Sequence, residues 1–334
     1  MMISTRLKTA MATLLCMLAV ICLCGCSSDE KNYDEGKISI VTTVFPAYDW
    51  VCRVVGDEAD RYDISMIADN GADLHSYQPT AADILKISRC DMLVYVGGES
   101  DEWVAEAAAQ AQNKDMVVID MLKSASGYAL AEETVEGMKD DGHDHGSDTD
   151  HDHDEIYDEH IWLSLRASEA IVGAIADGLS QVDPENSSEY VRNGEEYREK
   201  LQELDREYSM RLADAQEDTL IFADRFPFLY LLHDYGIKYY AAFAGCSAET
   251  EADFETLAFL IDQTDRLGAS VILTMEGSDD KIAQTVAAGA KKDDIQIEQI
   301  NSMQYITSDD IKGGAAYLSI MEQNLEVLCK ALGA

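Results

Sequence analysis

Short β-branched runs alternate with amphipathic helices twice along this chain, and that alternation restricts it to a parallel α/β architecture. In the first series, residues 38–44, 62–67, 92–96 and 116–119 read as buried strands, with helices over 47–55, 81–88 and 103–111. In the second, strands fall at 219–222, 238–242, 271–274 and 295–299, with helices at 228–235, 251–267, 281–288 and 311–332. Asp183-Pro184, between the series, is a helix start, with Asp as cap and Pro in the first turn. Tyr190, Tyr197, Leu201, Leu204, Tyr208 and Leu212 then form one apolar stripe. The stripe predicts a helix of about 30 residues, roughly 45 Å long. The expected fold is α/β: two similar lobes, each a mostly parallel sheet flanked by helices, joined by one long helix.

The N-terminus bounds the compartment. Arg6 and Lys8 precede an apolar run from Met11 to Leu23, which at about 13 residues is too short to span a bilayer and reads as a secretory signal. It ends in Leu23-Cys24-Gly25-Cys26, a pattern that resembles the bacterial lipobox. Cys26 is then the lipidated first residue of an extracytoplasmic protein anchored to the cell membrane. The expected organisation is a signal over 1–25 and a tether over 26–37. An N-terminal lobe follows over 38–165, including a polar loop at 124–159. A helical segment over 166–214 and a C-terminal lobe over 215–334 complete it. The net charge of −39 repels nucleic acid and attracts cations, so nucleic-acid binding is set aside. Cys52, Cys90, Cys246 and Cys329 are too scattered for a zinc ribbon or a redox CxxC pair, and spacing assigns no disulfide.

Histidine is concentrated. Five of the seven histidines lie between His143 and His160, among eight carboxylates. An acidic run alone is usually a solvated loop. Imidazole alternating with carboxylate is a ligand set for a divalent transition metal. In open α/β sheets ligands bind beyond the carboxyl ends of strands. His75 (GADLHSYQPT), His160 (DEHIWLSL), Asp224 (FADRFPF) and Glu276 (LTMEGSD) are the candidates for that location. Each alone is as readily a capping or surface group.

The runs TTVFPAYDWVCRVVGD and GADLHSYQPTAADILKISRCDMLVYVGGESDEW, the motif DEHIWLSL, the helix from Pro184 and the closing SDDIKGGAAYLSIMEQNLEVL are similar to a known family. Across essentially the whole mature chain they resemble the substrate-binding lipoproteins of zinc and manganese ABC importers. That resemblance implies a metal cleft between the lobes, with His75 and His160 as imidazole ligands and Glu276 as a carboxylate ligand. It implies as partners an importer permease and its ATPase, and as membrane contact the lipid bilayer through Cys26. A monomer is expected.

One position departs from the family pattern. Zinc-type members carry a third histidine after the first C-lobe strand, where this chain has Ala223-Asp224-Arg225. Counting back from Tyr235-Gly236 lands on Arg225, which stays protonated and cannot ligate. Asp224 is therefore the expected third ligand, with a one-residue adjustment in the following turn. His233 reads as a surface histidine in mid-helix, and Cys246 is a lesser, soft alternative. Two imidazoles with two carboxylates accept both zinc and manganese. The histidine-rich loop favours Zn2+ as cargo, with Mn2+ as the alternative. His143, His145, His151 and His153 are expected to form an auxiliary chelating arm. A zinc hydrolase is the rival from another class. It requires an open coordination position and a general base, and the chain has no His-Glu-x-x-His helix and no nucleophile elbow.

Overall fold

The computed structural model describes residues 36–69, 71–138, 156–247 and 251–334. The N-lobe comprises β1 (Ile38–Thr42), α1 (Phe45–Val55), β2 (Tyr62–Met66), α2 (Ala81–Arg89), β3 (Met92–Tyr95), α3 (Glu102–Ala109), β4 (Val117–Asp120) and the one-turn α4 (Met121–Ser124). An antiparallel pair of helices follows, α5 (Leu165–Val182) and α6 (Ser187–Leu212). The C-lobe comprises β5 (Thr219–Phe226), α7 (Leu229–Asp234), β6 (Lys238–Ala244), α8 (Phe254–Leu267), β7 (Val271–Met275), α9 (Lys281–Gly289), β8 (Gln296–Ile300), α10 (Ser308–Lys312) and α11 (Tyr317–Leu332).

Both sheets are wholly parallel, with orders β2-β1-β3-β4 and β6-β5-β7-β8. The lobes therefore repeat one topology. Side chains alternate across each sheet because successive Cβ atoms point to opposite faces. Ile40, Met92 and Val94 face one way into the main core, while Val41 and Leu93 pack outward with Ile87 and Val104. Ile221, Ala242 and Ile272 do the same under α8 and α9 in the C-lobe.

The expected linking helix is α6, preceded by a 3-10 turn over Pro184–Asn186. It is 26 residues long, shorter than the sequence stripe predicts because the first turn from Pro184 is 3-10. Tyr190, Tyr197, Leu201, Leu204 and Tyr208 on its stripe are all buried. Its partners come from both lobes. Asn193 Nδ2 donates to the Val54 carbonyl at 3.0 Å, and the Tyr208 hydroxyl donates to the Met321 carbonyl at 2.5 Å. The helix read as continuous over 311–332 is broken, because Gly313-Gly314 ends α10 with a positive φ of 99° at Gly314.

The main core does not divide between the lobes. One contiguous cluster holds Ile40 and Trp50 from the N-lobe, Ile171 and Tyr197 from the helix pair, and Phe222 and Leu325 from the C-lobe. Trp50 stacks edge-on against Tyr317 with centroids 5.0 Å apart, and Trp162 Nε1 donates to the Ser302 carbonyl at 2.8 Å. Truncating a buried aromatic at such a junction costs about 3–5 kcal/mol. Among the described residues, no helix is long and apolar enough to cross a membrane.

Candidate metal centre

His75 sits beyond the end of edge strand β2, in the 3-10 turn Leu74–Ser76. Asp73 caps that turn, its Oδ1 accepting from the His75 backbone N–H at 3.0 Å. His160 sits where the chain re-enters structure after the long polar segment, just before the 3-10 turn Ile161–Leu163. It is fully buried. The two imidazoles meet with Nε2 atoms 3.1 Å apart.

Each ring is held from behind by acceptors. His160 Nδ1 lies 3.0 Å from Asp158 Oδ1, which also accepts from the His160 backbone N–H at 2.8 Å. His75 Nδ1 lies 2.8 Å from Ser100 Oγ and 3.3 Å from Glu159 Oε2. Glu159 Oε1 in turn accepts from the Ser100 backbone N–H at 2.7 Å. A carboxylate on the far nitrogen fixes ring orientation and raises ligand basicity, the usual support of a metal-binding histidine. Room for Glu159 comes from Gly98, at φ +88°, where a Cβ would stand 2.6 Å from Glu159 Oε1.

The electrostatics follow from this packing. Burial pulls the His160 imidazolium down most strongly, yet the Asp158 charge and hydrogen bond outweigh it, so its pKa is raised. Burial likewise pushes Glu159 up, but the hydrogen bond and charge of His75 and the Ser100 N–H leave it lowered.

A third donor joins the pair. Cys246 lies beyond the end of edge strand β6, and its Sγ, with one nitrogen from each imidazole, falls in a group whose ligand atoms are all within 4.8 Å of one another. Its turn is closed by Ser247 N–H donating to the Ala244 carbonyl at 3.2 Å. Gly245 lies against His160, and a Cβ there would meet His160 Cε1 at 3.1 Å and the Phe226 carbonyl at 2.8 Å. Burial, followed by the charges of Asp158 and Glu132, raises the Cys246 thiol far above its ordinary value.

The two expected carboxylates are not brought to this group. Asp224 accepts from the Arg225 backbone N–H at 2.8 Å with Oδ1 and from the Met275 N–H at 3.2 Å with Oδ2. Glu276 accepts from Ser302 N–H at 2.8 Å, Ser302 Oγ–H at 2.6 Å and Gln304 N–H at 3.2 Å. Burial raises the Glu276 pKa against those hydrogen bonds. Both acids organise strand ends, and the expected set of four ligands is not assembled.

The reason lies in β5. Its register with β6 slips between Phe222 and Arg225, three residues on β5 spanning two on β6. Such a bulge re-aims side chains. The slip lies inside β5 and not in the following turn where an adjustment was expected, and the group it delivers to the lobe junction is Arg225. Its Nη1 donates to Asp73 Oδ2 at 2.5 Å and to the Ser247 carbonyl at 3.3 Å, and its Nη2 donates to the Tyr305 hydroxyl. Tyr305 also donates to Asp73 Oδ2 at 3.0 Å. Arg225 thus binds the turn of His75 to the turn of Cys246.

His233 is exposed on α7, as its helical position predicts. His143, His145, His151, His153 and the lipidation candidate Cys26 lie outside the described residues. Cys52, Cys90, Cys246 and Cys329 form no disulfide.

Comparison with known proteins places the arrangement in context. Residues 40–331 match the family described as zinc-uptake complex component A, periplasmic. The chain is 30% identical over 317 residues to the high-affinity zinc uptake system protein ZnuA of Bacillus subtilis, covering 94% of both. It is 31% identical over 319 residues to the zinc-binding lipoprotein AdcA of Streptococcus pneumoniae, covering 94% of this chain and 59% of that protein. Against the zinc-binding protein AdcA of Streptococcus pyogenes the match spans 56% of the relative's length, so the chain corresponds to little more than half of these streptococcal proteins. The Zn(II)-bound ZnuA-like domain of S. pneumoniae AdcA superposes with a TM-score of 0.70 at 27% identity, covering 90% of this chain and all of that domain. With its two parallel sheets, bridging helix pair and imidazole pair at the lobe junction, the chain belongs to the family of periplasmic zinc-uptake components.

Proposed function

We propose that the protein is an extracytoplasmic zinc-binding lipoprotein that captures Zn2+ between its lobes and delivers it to an ABC importer. The observation that carries this is the pair of imidazole Nε2 atoms 3.1 Å apart, each ring backed by a carboxylate at Nδ1. Neutral imidazoles oriented in this way are ready-made ligands for a borderline-soft divalent ion. The zinc-named relatives and the zinc-bound structural neighbour support the choice of cargo.

The protein's part is binding without chemistry. Asp158 and Glu159 hold the rings, burial excludes water from His160, and the cargo exchanges ligands without any change of oxidation state. Protons compete with the cation for the imidazoles, so affinity falls as pH drops through the imidazole range. The Asp158 carboxylate, which raises the His160 pKa, moves that competition to higher pH. Cys26 supplies the lipid anchor and a permease with its ATPase receives the ion. The docked state must bind the ion more weakly than the free one. His143, His145, His151 and His153 act as an accessory arm of lower affinity that feeds the cleft.

Zinc and manganese titrations of the purified protein, with and without residues 139–155, test the reading. One tight zinc equivalent that survives removal of the arm and resists excess manganese is expected. Tighter binding of manganese, or a tight site that disappears with the arm, overturns it.

A further inference from the structure

We propose that the Cys246 thiolate is the third protein ligand of the cation held by His75 and His160. The site is then a nitrogen, nitrogen and sulfur set, and its cargo a thiophilic divalent ion. The inference rests on the capture reading above and specifies its donor set.

Geometry carries the proposal. Donors about 2.0–2.3 Å from one tetrahedral zinc ion sit roughly 3.3–3.8 Å apart. The nitrogens of His75 and His160 and the sulfur of Cys246 already lie within 4.8 Å of one another, so small side-chain rotations gather them. No other His, Cys, Asp or Glu among the described residues joins that group. The carboxylates of Asp224 and Glu276 are engaged by backbone N–H groups and a serine hydroxyl.

The turn that carries Cys246 is built to hold it there. It is closed from Ser247 to Ala244, tied through the Ser247 carbonyl to Arg225, and laid on His160 at Gly245, where any side chain would intrude. Topology gives an independent reason. Cys246 follows β6 as His75 follows β2, and these are equivalent edge strands of the two sheets. Each lobe thus contributes one donor from the loop after its edge strand, and both meet buried His160. On binding, the S–H bond of Cys246 breaks heterolytically. Sulfur keeps the electron pair and donates it to the cation, the proton passes to solvent, and nothing is oxidised.

Thiolate ligation favours zinc over manganese, which prefers oxygen donors. Cobalt(II) is a spectroscopic probe for it. The protein with one equivalent of cobalt is expected to show a near-ultraviolet thiolate-to-cobalt charge-transfer band that Cys246→Ser and His160→Ala both lack. Zinc affinity is expected to fall at least tenfold in Cys246→Ser, with a narrower preference for zinc over manganese. X-ray absorption on the unmutated protein with one zinc equivalent needs no variant and should show a sulfur at about 2.3 Å. A zinc shell of nitrogen and oxygen only, with Cys246→Ser binding zinc within twofold of the unmutated protein and His160→Ala greatly weakened, overturns the thiolate and leaves the capture reading standing. Unchanged affinity in His160→Ala overturns both.

Discussion

The two lobes share a strand order but spend their strand ends differently. In the N-lobe the loop after the edge strand carries His75, and acids prop the donors, with Glu159 behind His75 and Asp158 behind His160. In the C-lobe the matching loop carries Cys246, and the nearby prop is a cation, Arg225. The third strands of both sheets run into an acid, fully buried Asp101 and partly buried Glu276, that is not grouped with the donors in this structure. Asp101 accepts from the N–H groups of Val96 and Gly97 at 2.8 and 3.3 Å, as Glu276 does from Ser302 and Gln304. Burial raises both pKa values, that of Asp101 to about 7. In the proposed donor set His75 and Cys246 come from edge-strand loops, while in this structure the acids after the third strands accept from backbone N–H groups.

The strongest test of that division is His160→Ala, which removes a fully buried proposed ligand together with the partner of Asp158. Zinc affinity should drop more than a hundredfold, beyond the 10–100-fold typical of losing a supporting residue, as read by competition with a chelator. A smaller loss would mean that the lobes share the ion less equally than their geometry implies.

Arg225→Met comes next, because it leaves Asp73 buried without its cation. Breaking such a pair costs about 3–5 kcal/mol, and the side chains are only 13% and 11% exposed. The sign of its pH dependence is fixed. Burial pushes Asp73 up, but the hydrogen bond and charge of Arg225 outweigh it, so the folded-state pKa lies below 3.8. The pair's contribution is whole above the unfolded value and is lost as pH falls through the folded one. Denaturant midpoints of the unmutated protein and Arg225→Met should therefore differ most at neutral pH and converge in acid. A gap that widens below about pH 4 would contradict the linkage.

Glu159→Gln keeps the shape and removes the charge behind His75. Zinc affinity is expected to fall about tenfold by calorimetry, within the range for a supporting carboxylate. Glu276→Gln should give the smallest change at the site, zinc affinity within twofold, while the unfolding free energy drops by about 1–3 kcal/mol because Ser302 and Gln304 lose acceptors. An affinity loss comparable to that of His160→Ala would return Glu276 to the donor set.

Both lobes, all eight strands and the bridging helix were legible in the sequence, because apolar period and strand length repeat clearly. His75 and His160, singled out through their motifs, are brought together in the structure. That Asp224, expected as a ligand, is not brought to the imidazole pair in this structure has a physical source. A bulge in β5 depends on its pairing with β6, Phe222 with Ala241 and Arg225 with Phe243, and leaves no local signature, so counting along the chain could not tell which of Asp224 and Arg225 turns to the lobe junction. Glu276 follows a strand end in the expected way, yet its fate depends on Ser302 and Gln304, which approach it only in three dimensions. Cys246 was read from the sequence only as a lesser, soft alternative. What revealed it is the repetition of topology, which puts the loops after β2 and β6 at equivalent stations.

The unbroken core from Ile40 to Leu332 has a consequence for traffic. With Trp50 seated on Tyr317 and Trp162 tied to Ser302, the lobes cannot swing apart like jaws without exposing a continuous apolar seam to water. On the proposed donor set, loss of the ion then needs movement of the short segments that carry His75 and Cys246, near residues 73–76 and 244–247, and not of whole lobes. Under the proposed function, a docking partner would act on one of these segments, against Leu74 in the core and Arg225 at the junction, and not on the body of the protein.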